Sequence, residues 1–158
     1  ADVLIAAGNS FTGNVLKAGY TEKMAGNMIM PNGLLAYSCK MDGAQLKETV
    51  RNFTEGYPGG FLPFNRGSLP VFSGISVEIR ETDDGYTLSK VTRNGKKVQD
   101  NDTFTVTCLG ISKHMEAYPT DDAMVFDRGE TSVKDTWIAY VSDGNAILAE
   151  PEDYITLR

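Results

Sequence analysis

The chain has 158 residues, is 41% hydrophobic and carries a formal net charge of −6. These values fit one globular domain with its own core and exclude predominant disorder. The acidic balance argues against nucleic acid as the main partner, because phosphate backbones are bound by basic faces. No segment approaches the roughly 18 apolar residues of a membrane span. The chain opens on Ala1 without an initiator Met or a basic leader, so we expect residues 1–158 to be a single domain cut from a longer protein.

The first third predicts strands separated by loops. Residues 2–7 form an apolar run that reads as a buried strand, and the small-residue stretch "GNSF" follows it as a loop. Such a loop can cradle a phosphate on backbone N–H groups, although it matches no established phosphate motif. Residues 21–27 could form a short helix capped by Thr21, and residues 34–41 are strand-like.

The clearest helix lies in "DGAQLKETVRNF". Asp42 and Gln45 have the spacing of a capping box, in which each side chain satisfies a free backbone N–H of the other. Leu46, Val50 and Phe53 recur at i, i+4 and i+7, which predicts one buried helix face.

The second half is predicted to be mainly strands. The stretch "YPGGFLPFNRGSLPVFSG" is mostly loop because of its prolines and glycines. Alternating apolar residues predict strands over 75–80 and 103–108, and hairpin turns are predicted at Asp83-Asp84-Gly85 and Asn94-Gly95.

A last helix should begin near Ser132 and stop at Gly144, and "DYITLR" is a candidate final strand. The predicted core face of this last helix comprises Val133, Trp137, Tyr140 and Val141. Helices and strands do not strictly alternate. The pattern therefore predicts an α+β domain with meandering mixed or antiparallel strands and a few helices, not a doubly wound parallel sheet.

The residues that could carry chemistry are few. Cys39 and Cys108 lie in apolar alternating stretches and are interpreted as core residues, although one disulfide is also compatible with the sequence. His114 is the only histidine, and no nucleophile elbow accompanies it. Neither a catalytic residue nor a metal-ligand cluster is therefore predicted in this chain.

Several stretches, in order, resemble the C-terminal domain of the 5′-nucleotidase, UDP-sugar hydrolase and cyclic phosphodiesterase family. "ADVLIAAGNSF" stands where that family runs from a strand into Asn-Gly-Gly-Gly-Ile-Arg, and "MPNGLLAYSCKMDGAQLKETV" resembles its Leu-Pro-Phe-Gly-Asn strand and Thr-Gly-x-x-Leu helix start. "GGFL", "FSGISVEI" and "VTRNGKKVQDNDTFTVTC" resemble the middle hairpins and the strand after them, and "EAYP" stands in place of Gly-Asp-Gly-Tyr.

The resemblance implies a division of labour between two domains. A metallophosphoesterase domain, N-terminal to this chain, would hold the divalent metal ions, so no cofactor is expected here. This domain would bind a nucleoside or nucleotide, and the parent protein would be a hydrolase of nucleotide catabolism. The family also implies an extracellular, periplasmic or cell-envelope location.

The family's binding positions fall on unusual residues in this chain. The glycine loop falls on residues that include Gly8 and Asn9, its phosphate-facing arginine on Phe11, and its first base-stacking phenylalanine on Asn32. The second stacking position falls near Ile111, within a segment that also contains His114 and Tyr118. The inserted stretch "PFNRGSLP" offers Phe64 and Arg66 as compensating groups.

These departures predict weak nucleotide binding. A charge-assisted hydrogen bond contributes roughly 1.5–3 kcal/mol, and stacking on an aromatic ring roughly 1–3 kcal/mol per base. Losing one arginine and two aromatic walls would lower affinity by about three to five orders of magnitude. Three hypotheses therefore stay open: a recognition domain of a phosphoesterase with divergent specificity, a degenerate binding or scaffold module of a cell-surface protein, and an unrelated α+β domain.

Overall fold

The computed structural model describes residues 1–6, 21, 23, 27, 35–55, 70–83, 85–110, 127–143 and 155–157. In this part of the chain nine strands and two helices follow one another. The strands are β1 (Val3–Ala6), β2 (Leu35–Asp42), β3 (Val71–Ser73), β4 (Ser76–Thr82), β5 (Gly85–Arg93), β6 (Lys96–Lys97), β7 (Thr103–Gly110), β8 (Asp127–Ser132) and β9 (Ile155–Leu157). The helices are α1 (Gly43–Glu55) and α2 (Val133–Ser142).

The strands form two mixed sheets. The five-stranded sheet has the order β3-β1-β7-β2-β8, and the four-stranded sheet has the order β6-β5-β4-β9. Strand β1 runs parallel to β7, and β4 runs parallel to β9, whereas the other neighbours are antiparallel. This confirms the predicted α+β class with mixed and antiparallel strands.

The main core lies between one face of the five-stranded sheet, helix α1 and the four-stranded sheet. Its fully buried members alternate along the strands, as the sequence pattern predicts: Val3 and Ile5 on β1, Val106 and Cys108 on β7, Val77 and Ile79 on β4. Helix α1 contributes Leu46 and Val50, with Phe53 packed partly buried against them. The predicted apolar face of α1 is therefore confirmed.

Local signals account for where these elements begin and turn. The Asp42 and Gln45 side chains each accept the other's backbone N–H, at 2.8 and 2.9 Å, which is the predicted capping box. Asn94 and Gly95 both have positive φ, 50° and 75°, and join β5 to β6. This is the turn that an Asn-Gly pair favours in a tight hairpin. The predicted hairpin at 83–85 also forms, with Thr82 paired to Gly85.

Helix α2 covers the opposite face of the five-stranded sheet. Ser132 caps it, accepting the N–H of Asp135 at 3.1 Å. Val133 and Trp137 pack on Ala6 and Leu109, which close a second, smaller apolar cluster.

One residue of the predicted core face of α2 was wrongly assigned. Tyr140 is 48% exposed, whereas Val141 is 2% exposed. The apolar ridge of α2 follows residues 133, 137 and 141 at i, i+4 and i+8, with Val133 and Trp137 partly buried and Val141 buried. Tyr140 lies at the margin of this ridge, with its ring stacked on Trp137 at a centroid distance of 6.2 Å. An amphipathic ring can pack one face and keep its polar tip in water.

The remaining element predictions fall partly outside the described residues. Of the helix predicted over 21–27, the structure describes a hydrogen bond from the N–H of Asn27 to the carbonyl of Lys23, at 3.1 Å. The proline- and glycine-rich stretch is described from Pro70 onward, and Gly144 lies outside the described residues. The predicted final strand is confirmed as Ile155–Leu157.

Candidate functional site

The five-stranded sheet has two ends with different character. We call them the Gly110 end and the Thr103 end, after the last and first residues of the central strand β7. Strand β1 runs parallel to β7, so both strands finish at the Gly110 end. Strand β2 runs antiparallel to β7, and β3 runs antiparallel to β1, so β2 and β3 begin at that end.

The strand register brings the flanks of all the predicted binding segments to the Gly110 end. Ala6 pairs with Leu109 and with Val71, and Leu35 pairs with Gly110. Ala6 leads into "GNSF", and Leu35 follows "PNG" directly after Leu34. Gly110 leads into the segment that begins at Ile111, and the inserted stretch ends just before Val71. The three predicted binding segments and the inserted stretch, which are far apart in sequence, are therefore joined to the ends of neighbouring strands.

The predicted site residues themselves lie outside the described residues. They are Gly8, Asn9, Phe11, Asn32, Phe64, Arg66, Ile111, His114 and Tyr118. Asn9 and Asn32 are each three residues from a described strand end, Ala6 and Leu35. Three residues of fully extended chain span at most about 11 Å. The covalent chain alone therefore limits how far these two side chains can depart from the Gly110 end.

Ala6, Leu35, Val71 and Leu109 are apolar at the Gly110 end, whereas Ser132 of β8, which pairs with Leu35, is polar. Ala6 is fully buried, and Leu109 is 6% exposed. Both rest on α2 through Val133 and Trp137. Sequence reasoning identified α2 as a core helix but not its position behind this end, because a helix's amphipathic stripe does not specify which sheet face it covers. Packing on α2 therefore supports the ends of β1 and β7.

The Thr103 end carries the charged network of the described residues. The Asp2 carboxylate accepts hydrogen bonds from the Arg93 guanidinium at 2.8 Å and from the backbone N–H of Thr105 at 2.8 Å. These hydrogen bonds lower the pKa of Asp2 below its usual value, and the bond from Thr105 has a larger effect than the bond from Arg93. Arg93 also lies 5.4 Å from the centre of the Phe104 ring.

A cavity of about 380 Å³ opens at this same Thr103 end, lined by residues that include Arg93, Asn94, Lys96 and Asp102. It lies at the opposite end of β7 from the predicted binding segments. Arg93 already pairs with Asp2, and Asp102 accepts the N–H of Gln99 at 2.8 Å. We assign these groups to holding the chain start and the β5–β6 hairpin in place.

Two searches of the described residues complete the description of the site. No three His, Cys, Asp or Glu side chains gather closely enough there to hold a metal ion. Among the helices described, none has the length and apolar character needed to cross a membrane.

Comparison with known proteins relates this fold to nucleotidases. No family profile matches the sequence, and no curated protein does. Among solved structures, the NAD nucleotidase of Haemophilus influenzae superposes with a TM-score of 0.73 at 16% identity. The 5′-nucleotidase precursor of Thermus thermophilus gives 0.72 at 13% identity. A Staphylococcus aureus protein described as a 5′-nucleotidase, in complex with α-ketoglutarate, gives 0.69 at 18% identity.

These likenesses confirm the expected fold, that of the 5′-nucleotidase C-terminal domain. Each covers 99% of this chain, while the chain spans only 29–33% of the other structure's length. The hypothesis of an unrelated α+β fold is therefore wrong. The other two hypotheses share this fold and differ only in what the Gly110 end does.

Proposed function

We propose that this chain is the nucleoside- or nucleotide-recognition domain of a metal-dependent phosphoesterase of the 5′-nucleotidase type, and that it contributes no catalytic group of its own. The observation that carries the proposal is that three strand ends at the Gly110 end, Ala6, Leu35 and Gly110, adjoin the three predicted binding segments in the sequence. The shared fold supports it. The metal ions would be held by a domain N-terminal to this one, in an exported parent protein.

The ligand would meet a site built differently from the family's usual clamp. Phe11 and Asn32 occupy the positions where the resemblance places an arginine and a stacking ring. We therefore expect AMP, adenosine and UDP-glucose to bind with dissociation constants no tighter than about 1 mM, or roughly −4 kcal/mol. A physiological ligand would be contacted by Asn9, Phe11 or Asn32.

A titration of the isolated chain, followed by NMR shifts and calorimetry, tests the proposal. The panel contains nucleosides, nucleotides, nucleotide sugars and NAD, the last because the Haemophilus influenzae structure is an NAD nucleotidase. We expect one compound to bind saturably, to shift the signals of Ala6, Leu35 and Leu109, and to bind more weakly to the Phe11→Ala variant. Tyr140→Ala is the matched control, since it removes an exposed ring on α2.

Three results would contradict this reasoning in different ways. Micromolar binding of an ordinary purine nucleotide would show that the clamp is intact, with Phe64 and Arg66 replacing the lost groups. No saturable binding by any member of the panel would favour the alternative, a degenerate scaffold module of a cell-surface protein. Turnover of a phosphate ester by the purified chain with Mn²⁺, Co²⁺ or Zn²⁺ would refute the absence of catalytic groups.

A further inference from the structure

Cys39 and Cys108 are buried thiols on neighbouring strands. Cys39 is 5% exposed, Cys108 is fully buried, and neither belongs to a disulfide. In the antiparallel pairing of β2 with β7, Cys39 lies opposite Val106 and Cys108 lies opposite Tyr37. The two cysteines are therefore offset by two positions. This places both side chains on the same face of the sheet as a diagonal pair.

The two thiols also interact. A hydrogen bond with Cys108 lowers the pKa of Cys39, although burial opposes the shift. Cys39 is slightly exposed and Cys108 is fully buried, so Cys39 is the more accessible of the two for disulfide exchange. The described pairing of β2 with β8 ends at Ser38. Cys39 thus lies just beyond the last described bond that holds this side of β2.

We propose that Cys39 and Cys108 form a site of reversible covalent modification, an internal disulfide between β2 and β7 that forms when the chain meets a disulfide oxidant such as oxidised glutathione. The Cys39 thiolate attacks one sulfur of the oxidant and releases one glutathione thiolate. The sulfur of Cys108, losing its proton, then attacks the Cys39 sulfur and releases the second. Two electrons pass to the oxidant, and the two cysteine protons end on the two glutathione thiols.

The diagonal arrangement makes this bond readily reversible. Diagonal neighbours have Cα atoms about 7–8 Å apart, whereas an unstrained disulfide needs about 4.4–6.8 Å. Closing the bond therefore requires β2 and β7 to approach by about 1 Å, and strained disulfides are reduced more easily. The linked strands are the ones whose ends, Leu35 and Gly110, adjoin the predicted binding segments. The redox state of the pair would thus act on the framework of the Gly110 end.

Intact-mass measurement tests the proposal on the unmodified chain. The folded chain is incubated with oxidised glutathione, acid-quenched, unfolded in urea and treated with N-ethylmaleimide. We expect a species that has lost two hydrogens and carries no maleimide, and that takes up two maleimides after dithiothreitol. Cys108→Ser is the control: it cannot close the bond and should stop at one glutathione adduct on Cys39.

Two outcomes would overturn the proposal. One is a folded chain that still carries two reactive thiols after a time in which the same chain, unfolded in urea, oxidises completely. The other is a stable glutathione adduct on Cys39 beside a free Cys108. Neither outcome bears on nucleotide recognition, and neither depends on whether a variant folds, because the wild-type chain gives the deciding measurement.

Discussion

Gly43, at the start of helix α1, lies against the backbone of Gln99, and replacing it by alanine should destabilise the fold. A Cβ on Gly43 would lie 1.8 Å from the Gln99 carbonyl oxygen and 3.1 Å from a methyl group of Val98. Ordinary contact begins at 3.4 Å, so the carbonyl would have to move by about 1.6 Å, the difference between 3.4 and 1.8 Å.

The surroundings of Gln99 resist such a movement. Val98 is 2% exposed and donates its N–H to the carbonyl of Val91 at 3.1 Å. The N–H of Ala44 is bonded to the carbonyl of Asp100 at 3.2 Å. Overpacking of this kind costs about 1–3 kcal/mol, while the better helix propensity of alanine returns at most about 1 kcal/mol. We expect the Gly43→Ala variant to lose about 1–2 kcal/mol of unfolding free energy.

Urea unfolding followed by circular dichroism measures this loss. With a slope of about 2 kcal/mol per molar urea, the midpoint should fall by about 0.5–1 M. Ala44→Gly is the matched control, because Ala44 is the next residue of α1 and is exposed. It reports the helix propensity of this turn without the contact. A Gly43→Ala variant with a midpoint at or above that of the wild type would refute the close approach to Gln99.

Three further predictions concern stability. The Glu55 carboxylate accepts a hydrogen bond from the N–H of Leu88 at 2.7 Å, beside the β4–β5 bulge. Glu55→Ala should therefore lower the unfolding free energy measured in urea by about 1–2 kcal/mol, and Glu55→Gln should lower it less. Equal losses in the two variants would contradict this role. The pKa of Asp2 is lowered in the folded chain. The stability that the Asp2 carboxylate contributes is therefore complete above its unfolded pKa of about 3.9, and this stability is lost as the pH falls through the pKa of the folded state. Asp2→Asn should therefore destabilise most at pH 6 and progressively less as the pH falls below about 3.9, and a pH-independent difference would argue against the Asp2 network. Finally, the fully reduced chain should unfold in one cooperative calorimetric transition, since its core forms without a disulfide; a chain that is unfolded in reductant would show that the cysteines are needed as a staple.

The parts of this fold that are local in sequence could be predicted from it. The capping box at Asp42 and Gln45 depends on residues three apart, and the hairpin at Asn94-Gly95 depends on two adjacent residues. Period-2 burial along β7 follows from one apolar face. Each of these signals is satisfied within one turn or one strand, so no knowledge of distant residues is needed.

The strand order and the orientation of α2 depend on distant residues and could not be predicted. The pairing of β1 with β7 joins Val3 to Val106, and nothing near either residue specifies it. Similarly, the stripe on α2 includes both Tyr140 and Val141 by helical geometry, yet Val141 is buried and Tyr140 is about half exposed. Periodicity finds a helix's apolar side to within about one residue position, and the partner surface decides which residues at its edge are covered.

The two ends of the five-stranded sheet explain how a fold can persist while its recognition chemistry changes. At the Thr103 end, charged groups such as Asp2 and Arg93 are consumed by internal pairing and serve the fold. At the Gly110 end, the described supports such as Ala6 and Leu109 are apolar and pack on α2, so they carry no specificity for a ligand. Under the proposed function, recognition would fall to the segments that are joined to these strand ends in the sequence. A chain with 13–18% identity to nucleotidases can therefore keep a TM-score of 0.69–0.73 and still place Phe11 and Asn32 where the resemblance expects an arginine and a stacking ring.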